Sequence, residues 1–288
     1  MRTLSLCSVA GFAVGAVLSA SGCSKSSGET NHPDSSTGAI CPTNPDDLIS
    51  DFTADNGVKG DGKSGGWYTY GDTSGRGTLV PAEGGAVVPD MTVGNPSCSG
   101  PGSLHVTGTG FADWGAAMGA DFEPKMQADG GQVGKGPYDA SKYRGISFYA
   151  KAAAPVKFVQ VAFKDPQTDL PSILPLAMQC VFDATMPTKN CSPYLVKFGY
   201  GYTDTDSGVQ TDFPAYVNYE IDTNWKRFEI LFSETRQDST NPGIQDPGNK
   251  LDTAHLTGMS IQVNSDHSTT PPTPTDFDIW VDDITFIR

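Results

Sequence analysis

The chain has 288 residues, of which 18% are charged and 10% aromatic, and it contains 33 glycines and 21 prolines. Its formal net charge of −14 argues against nucleic acid as a partner, because an acidic surface repels phosphate at long range. Short alternating apolar runs separated by Gly, Pro, Asn and Asp, without long 3.6-residue periodicity, argue against a helical protein and predict an all-β fold.

The first residues have the features of an export signal. Arg2 supplies a positive charge, and residues 11–18 are apolar but too few to span a bilayer. The small residues 20–22 precede Cys23, as lipoprotein signal peptidase requires. We therefore predict a signal peptide over 1–22, a lipid on Cys23, and a location at the outer membrane or cell surface. Ordinary secretion with cleavage nearby is the alternative.

Residues 23–40 are mostly Ser, Gly, Asn, Thr and Asp, a composition that predicts a flexible tether. Residues 41–288 have the length of one large sandwich and contain no stretch that resembles an interdomain linker. We predict a single domain, a monomer, that contacts the membrane through its lipid alone.

Four cysteines remain in the exported domain, and four cysteines allow three pairings. Cys180 and Cys191 flank a short segment and are expected to pair, which would leave Cys41 to pair with Cys98. A zinc site is the alternative, but neither a Cys-x-x-Cys motif nor a paired histidine spacing supports it.

Several segments alternate apolar and polar residues, and this period of two divides each strand into an inward and an outward face. The alternation predicts a two-sheet sandwich in which each sheet has one wet face. The inward residues are Ile146, Phe148 and Ala150; Val159, Val161 and Phe163; Phe228, Ile230 and Phe232; and Met259, Ile261 and Val263.

Seven segments, in this order, resemble carbohydrate-binding modules of the galactose-binding-like jelly-roll superfamily, most of all family eleven and related modules of secreted bacterial cellulases. The resemblance runs from about Leu48 to the C-terminus. It implies a jelly roll of two antiparallel sheets, a structural calcium ion and a concave glycan-binding face. The segments are 51–52, 66–70, 114–122, 138–151, 225–228, 256–263 and 278–284.

A sugar site needs aromatic platforms for the ring faces and planar polar groups for the hydroxyls. Aromatic residues occur in Gly-rich segments of low charge and at the start of a strand. The fold analogy places the strands of Trp114, Gln160 and Gln262 in one sheet, where outward side chains would line one groove. The alternative is that the aromatics close the ends of the sandwich. We predict ligand contacts from Trp67, Tyr70, Trp114, Gln160, Lys164, Tyr202 and Gln262.

Asp282 and Asp283 are adjacent in the last strand, so their side chains point to opposite faces unless a bulge redirects one of them. Asp51 lies at what would be the neighbouring first strand. Calcium takes about six to eight oxygen ligands. We predict that these three carboxylates hold the calcium ion; capping of a turn by one of the pair is the alternative.

A glycosidase needs two carboxylates about 5–10 Å apart. Glu123, Glu220, Glu229 and Glu234 are candidates, but solvated roles are sufficient for Glu229 on the wet face of a strand and for Glu123 beside a proline. The sequence also lacks a Gly-x-Ser-x-Gly motif. We predict that the protein is not an enzyme.

These observations predict a surface lipoprotein that binds a polysaccharide, β-glucan or another plant-type glycan, and holds it near partner glycoside hydrolases. A structural or adhesive sandwich without sugar affinity is the first alternative. A glycoside hydrolase accessory or weakly catalytic protein is the second. Open aromatics beside amides and charges on the groove would favour sugar binding, whereas a groove covered by residues 194–219 would favour the structural role.

Overall fold

The computed structural model describes residues 41, 44–72, 77–94, 98, 100–126, 128, 132–166, 169, 198–200, 219–237, 250–266 and 270–288. Within these ranges the chain forms strands and short 3₁₀ turns, and no helix there is long and apolar enough to cross a bilayer. The predictions for residues 1–40, Tyr202 and the Cys180–Cys191 pair, and the suggested cover over 194–219 apart from 198–200 and 219, lie outside the described residues.

One sheet, here called the front sheet, places the strands of Gln160 and Gln262 side by side, as predicted. Trp114 lies just before its strand and does not open it. The strand order is β13 (Arg236–Gln237), β10 (Phe198–Tyr200), β9 (Val156–Lys164), β14 (Gly258–Val263), β5 (Ala116–Asp121) and β2 (Trp67–Gly71), and β11 (Tyr219–Ile221) also pairs with β9.

The second sheet, here called the back sheet, contains the long final strand at its centre. Its order is β12 (Lys226–Leu231), β8 (Gly145–Ala152), β15 (Thr275–Ile287), β4 (Leu104–Phe111) and β3 (Thr78–Val80), and β1 (Leu48–Ser50) also pairs with β15. A separate hairpin joins β6 (Glu123–Met126) to β7 (Gln132–Gly136). All pairings are antiparallel, so the predicted all-β sandwich is confirmed.

The core is built from the inward residues that the alternation predicts, and all twelve of them are buried. Burying a side chain of this size contributes roughly 1.5–3 kcal/mol. One boundary differs from the prediction: β12 ends at Leu231, and Phe232 is buried from a 3₁₀ turn, Phe232–Glu234. The rings of Phe122 and Phe286, next to β5 and in β15, lie 5.9 Å apart.

The free edge of the front sheet is covered on the β2 side. The N–H of Gly84 donates to the carbonyl of Thr69 at 2.8 Å, and the N–H of Val87 donates to that of Trp67 at 3.1 Å. This segment satisfies backbone groups that an open edge would offer to another chain. It also fixes β2, whose outward residues form part of the candidate site.

Cys41 and Cys98 form a disulfide with their Cα atoms 5.2 Å apart. The predicted pairing is therefore confirmed, and it ties the start of the domain to the loop before β4.

Candidate functional site

Alternation along β2 divides its aromatic residues between the two faces of the front sheet. Trp67 points inward: it is 1% exposed, its indole N–H donates to Ser50 Oγ at 2.9 Å, and its ring meets that of Phe52 edge to face. The prediction that Trp67 contacts a sugar is therefore corrected, because the residue belongs to the core. Tyr68 and Tyr70 point outward. Trp67 and Tyr70 are three residues apart in one strand, so the period of two places their side chains on opposite faces. The same period places Tyr68 and Tyr70 on one face.

Three rows of outward side chains cross the front sheet, because residues directly opposite each other on paired strands share a face. The rows run from β2 or β5 across β14 to β9. The first row is Tyr70, Ala117, Gln262 and Gln160; the second is Tyr68, Gly119, Ser260 and Ala162; and the third is Asp121, Gly258 and Lys164.

Side-chain size divides this face into a floor of small residues and two flanks of long ones, here together called the trough. The floor residues Ala117, Gly119, Ala162 and Ser260 are buried, so the wet face predicted for this sheet is wrong at its centre. The central strands, β5 and β14, present mainly small residues there, whereas β2 and β9 present long ones. A β-carbon on Gly119 would lie 3.1 Å from Cε1 of Tyr70 and 3.5 Å from Cζ of Tyr68. The two tyrosine rings therefore lie over Gly119, and the absence of a side chain at this position allows them to do so.

Three aromatic rings follow one another along the β2 side of the trough. The ring centroids of Tyr68 and Tyr70 are 5.9 Å apart, and those of Tyr70 and Trp114 are also 5.9 Å apart. Tyr70 and Trp114 were predicted as sugar contacts, and the structure brings them together. Tyr68 was missed.

Polar groups occupy the first and second rows. The Gln262 amide donates to the carbonyl of Trp114 at 3.5 Å and also to Oδ1 of Asn264. Ser260 is fully buried at the centre of the face. Among the described residues, Ser260 Oγ and Asn264 Nδ2 have no hydrogen-bond partner. Buried polar atoms that the protein leaves unsatisfied are costly, and a ligand hydroxyl reaches these two only when the side chains above them move.

A buried charge cluster lies at the third row. Lys135 of β7 places its Nζ 2.8 Å from Asp121 and 3.1 Å from Asp169, and the three side chains are 5%, 6% and 2% exposed. Tyr68 donates to Asp121 at 3.3 Å, and Thr257 donates to Asp169 at 2.8 Å. Sequence reasoning missed this cluster, because its members are separated along the chain.

Electrostatics in the cluster set the protonation of its members. Burial would lower the pKa of Lys135, but the carboxylates of Asp169 and Asp121 outweigh it and raise that pKa. Burial, and then the adjacent Asp121 carboxylate, raises the pKa of Tyr68, so its hydroxyl remains a donor.

Lys164 lies at the β9 end of the third row and is half-buried. Its Nζ lies 5.7 Å from the centroid of the Tyr70 ring, so the two side chains extend toward each other over the trough. Burial, and then repulsion from Lys135, lowers the pKa of Lys164. Gln160 is half-buried on the same strand and faces the same way.

The predicted calcium ligands do not form one group. Asp282 and Asp283 are both buried at a bulge where β15 changes its neighbour from β4 to β1, and Asp283 has φ 49°. Asp51, however, pairs with Lys59 at 3.3 Å and accepts from the N–H of Thr53. Within the described part of the chain, no three His, Cys, Asp or Glu side chains are arranged to hold a metal ion. The three-carboxylate set is corrected, while the Asp282–Asp283 pair keeps the hard oxygen donors that calcium takes.

Three of the four glutamates considered for catalysis have structural partners. Glu123 pairs with Lys125 at 3.6 Å, Glu229 forms an ion pair with Arg227, and Glu234 accepts from the N–H of Leu231 at 3.2 Å. The side chain of Glu220 lies outside the described residues.

The fold and this face define an antiparallel β-sandwich with an aromatic-lined trough on one sheet. No protein-family model and no curated protein matches the chain. Among solved structures it is similar to the family 11 carbohydrate-binding module of a cellulosomal cellulase of Clostridium thermocellum, with 16% identity and a TM-score of 0.42, over 83% of this chain and 92% of that one.

A family 11 module from Clostridium thermocellum in complex with a β-1,3-1,4-mixed-linked tetrasaccharide is similar at 16% identity and a TM-score of 0.41, over 77% of this chain and 88% of that one. A structure of carbohydrate-binding modules from the β-sandwich superfamily is similar at 16% identity and a TM-score of 0.35, over 85% of this chain and 64% of that one.

Proposed function

We propose that the protein binds a polysaccharide on its front sheet without altering it chemically. The observation that carries this proposal is the row of three aromatic rings along a trough with a small, polar floor. Sugar rings stack their C–H faces on aromatic rings, and their hydroxyls need polar groups within reach. The half-buried Gln160 amide is such a group. We propose β-glucan or another plant-type glycan as the ligand.

The carboxylates beside the trough support binding rather than hydrolysis. Asp121 and Asp169 share one lysine, and each also accepts from a hydroxyl group. A glycosidase needs one carboxylic acid that can give its proton to the glycosidic oxygen. Both of these side chains are instead engaged in a buried network that holds β7 against β5.

Affinity electrophoresis tests the proposal. The domain from Cys41 onward is run through native gels cast with mixed-linkage β-glucan, xylan, xyloglucan, mannan or no polymer. Tyr70→Ala and Trp114→Ala are expected to weaken binding by about 1–2 kcal/mol, the contribution of a stacked ring. Trp225→Ala, which removes a half-buried ring next to the back sheet, is the matched control and should bind like the parent protein. Uniform mobility in all gels would favour the structural or adhesive role.

A second variant, Gly119→Val, tests whether the position of the Tyr68 and Tyr70 rings matters for binding. Gly119→Val adds a branched side chain where Cε1 of Tyr70 already lies 3.1 Å from the β-carbon position. The Tyr70 and Tyr68 rings must then lift, so glycan affinity is expected to fall even though both rings are still present. Unchanged affinity would show that the rings are not the platform.

We also propose that calcium binds at Asp282 and Asp283. Two adjacent buried carboxylates supply the donor chemistry, and the bulge turns the backbone at the same point. A metal that binds the folded chain alone stabilises it by mass action. Chelation should therefore lower the melting temperature, and Asp283→Asn should remove that response. If the chelator leaves the melting temperature unchanged and the purified protein also contains no bound metal, this proposal is ruled out.

The lipid on Cys23 is likewise a proposal, and its support is the small-residue sequence before that cysteine. A lipid there would hold the glycan-binding sheet at the cell surface, where bound polysaccharide is within reach of partner glycoside hydrolases. Cys23→Ser is expected to abolish incorporation of labelled fatty acid and to release the protein from membranes.

A further inference from the structure

Two lysines stand near the third row of the front face, in different surroundings. Lys135 has a carboxylate oxygen on each side, at 2.8 Å and 3.1 Å. Lys164 forms no ion pair with any carboxylate of the described residues; the contact that the structure gives its ammonium group is the Tyr70 ring at 5.7 Å. An ammonium group has three donors, and those of Lys164 reach the trough.

The nearby carboxylates are held by other donors. Asp121 accepts from Lys135 and Tyr68, and Asp169 accepts from Lys135 and Thr257. Burial and the positive charge of Lys135 lower the pKa of Lys164, and together they outweigh the Asp169 and Asp121 carboxylates, which act to raise it. Lys164 is thus a partly desolvated cation that contacts no counter-ion among the residues that the structure describes, and a bound carboxylate would supply one.

The negative net charge of the protein does not prevent Lys164 from pairing with a bound carboxylate. The net charge of −14 repels polyanions at long range. At physiological salt, however, exposed charges are screened beyond about 8 Å. Exposed acidic groups elsewhere on the protein would therefore act weakly on a carboxylate beside Tyr70. The nearby buried carboxylates of Asp121 and Asp169 are offset in part by Lys135.

We propose that the glycan bound on the front face carries carboxylate groups, as uronic acids do, and that Lys164 pairs with one of them. This inference rests on the proposed function, because it assigns the substrate class of the same trough. It places the sugar ring on the aromatic row and its carboxylate toward β9. Gln160, half-buried on the same strand, then lies on the same face for a neighbouring hydroxyl.

The experiment compares two polymers that differ in the carboxylate alone: a glucuronic-acid-substituted xylan and the same xylan after reduction of its carboxyl groups. The parent protein is expected to bind the acidic polymer more tightly, and increasing salt should weaken that binding more than binding to the reduced polymer. Lys164→Gln is expected to lose about tenfold in affinity for the acidic xylan and little for the reduced one. Lys164→Arg, which keeps the charge, should retain the preference.

Lys151→Gln is the matched control. Lys151 also lies over aromatic rings, 4.8 Å from Trp280 and 5.6 Å from Trp225, but on the back sheet. The Lys151→Gln variant should bind the acidic xylan and the reduced xylan as tightly as the parent protein does. Melting temperatures of all variants show that each is folded.

The outcomes separate the two proposals. Equal binding of both polymers by the parent protein, or an equal loss on both in Lys164→Gln, would overturn the carboxylate inference and leave polysaccharide binding in place. Failure to bind either xylan or any neutral polymer would overturn the proposed function and this inference with it.

Discussion

Lys63 shows how burial acts on a single charge in this sandwich. Its side chain is buried, with Nζ 4.6 Å from the centroid of the Tyr138 ring and 5.5 Å from that of Phe286. Its contacts with the carbonyl of Asp46 and the hydroxyl of Tyr138 are long, at 3.4 and 3.5 Å. Burial lowers the pKa of Lys63 to about 8, because it outweighs the nearby carboxylates.

This pKa predicts how stability changes with pH. The unfolded value of 10.5 lies above the folded value of about 8, so the unfolded chain binds more protons between these two pH values. The free energy of unfolding should therefore rise with pH over that window, and the gain should be absent below it. Lys63→Met is expected to remove this rise and to stabilise the protein near neutral pH by about 1–3 kcal/mol.

Urea unfolding of both proteins at about pH 7 and about pH 9.5 measures the effect. A rise of equal size in the parent protein and in Lys63→Met would assign the pH dependence to other groups. A loss of stability in the variant near neutral pH would show that the contacts with the aromatic rings outweigh burial.

Among the elements, the back sheet carries a stack of side chains across neighbouring strands. His105 of β4 stacks on Trp280 of β15 with ring centroids 4.3 Å apart, and Lys151 of β8 lies on Trp280 at 4.8 Å and on Trp225 at 5.6 Å. The Trp280 indole N–H donates to Asp90 at 3.1 Å. These groups satisfy one another, so this outer face is suited to stabilising the sheet.

Trp280→Ala removes the centre of this stack. We expect it to lower the free energy of unfolding by about 2 kcal/mol, less than the loss of a fully buried tryptophan, because the ring is half-buried. Polysaccharide binding on the front sheet should be unchanged in the folded variant. Urea unfolding and affinity electrophoresis measure the two effects, and loss of binding at full stability would assign the ligand to the back sheet.

The β6–β7 hairpin depends on Lys135. Lys135→Met would leave the buried carboxylates of Asp121 and Asp169 without their cation, which costs about 3–5 kcal/mol near neutral pH. The folded-state pKa of Lys135 is raised, so the lysine stabilises the fold at every pH below its unfolded value, and this contribution is lost as the pH rises through the folded value.

Lys125→Met on the same hairpin is the control for Lys135→Met. Lys125 is exposed and pairs with Glu123 at 3.6 Å, so its loss should cost less than about 1 kcal/mol. Chemical unfolding compares the two variants. Similar small losses in both would mean that the buried network contributes little to stability.

Across the whole molecule, the Cys41–Cys98 disulfide closes a loop with a sequence separation of 57. Closing a loop of this length restricts the unfolded chain and is expected to stabilise the fold by about 3–4 kcal/mol. Cys41→Ser with Cys98→Ser tests this without affecting Cys180 and Cys191. A lower melting temperature with polysaccharide binding retained is the expected result. Loss of binding in the folded variant would show that the bridge also shapes the site.

The two outer faces of the sandwich differ in a way that supports the site assignment. On the back sheet, aromatic and charged groups are stacked and paired with each other across the strands. On the front sheet, small residues leave a trough, and Ser260 Oγ and Asn264 Nδ2 have no partner among the described residues. The back sheet also has one such atom, Arg227 Nε, so the site assignment depends on the aromatic row of the front sheet and not on unsatisfied atoms.

Alternation predicted the inward residues of β8, β9 and β14 correctly, because the strand period is a local property of the backbone. The same alternation applied to β2 places Trp67 and Tyr70 on opposite faces. The prediction for Trp67 was wrong because it relied on the Gly-rich, weakly charged composition of the segment and not on this alternation. The Asp121–Lys135–Asp169 cluster could not be predicted in this way. Its members meet because β5, the β6–β7 hairpin and the segment after β9 converge in space.

The all-β class and the inward residues of the strands could be predicted from the sequence, because they depend on local periodicity, and the spacing of four cysteines favoured Cys41–Cys98 among three possible pairings. Which strands are neighbours could be seen only in the folded chain, and with it that Tyr68, Tyr70 and Trp114 form one row and that Lys164 faces it. Strand order and register depend on long-range pairing, and contacts between residues far apart in the chain leave no periodic signal in one sequence.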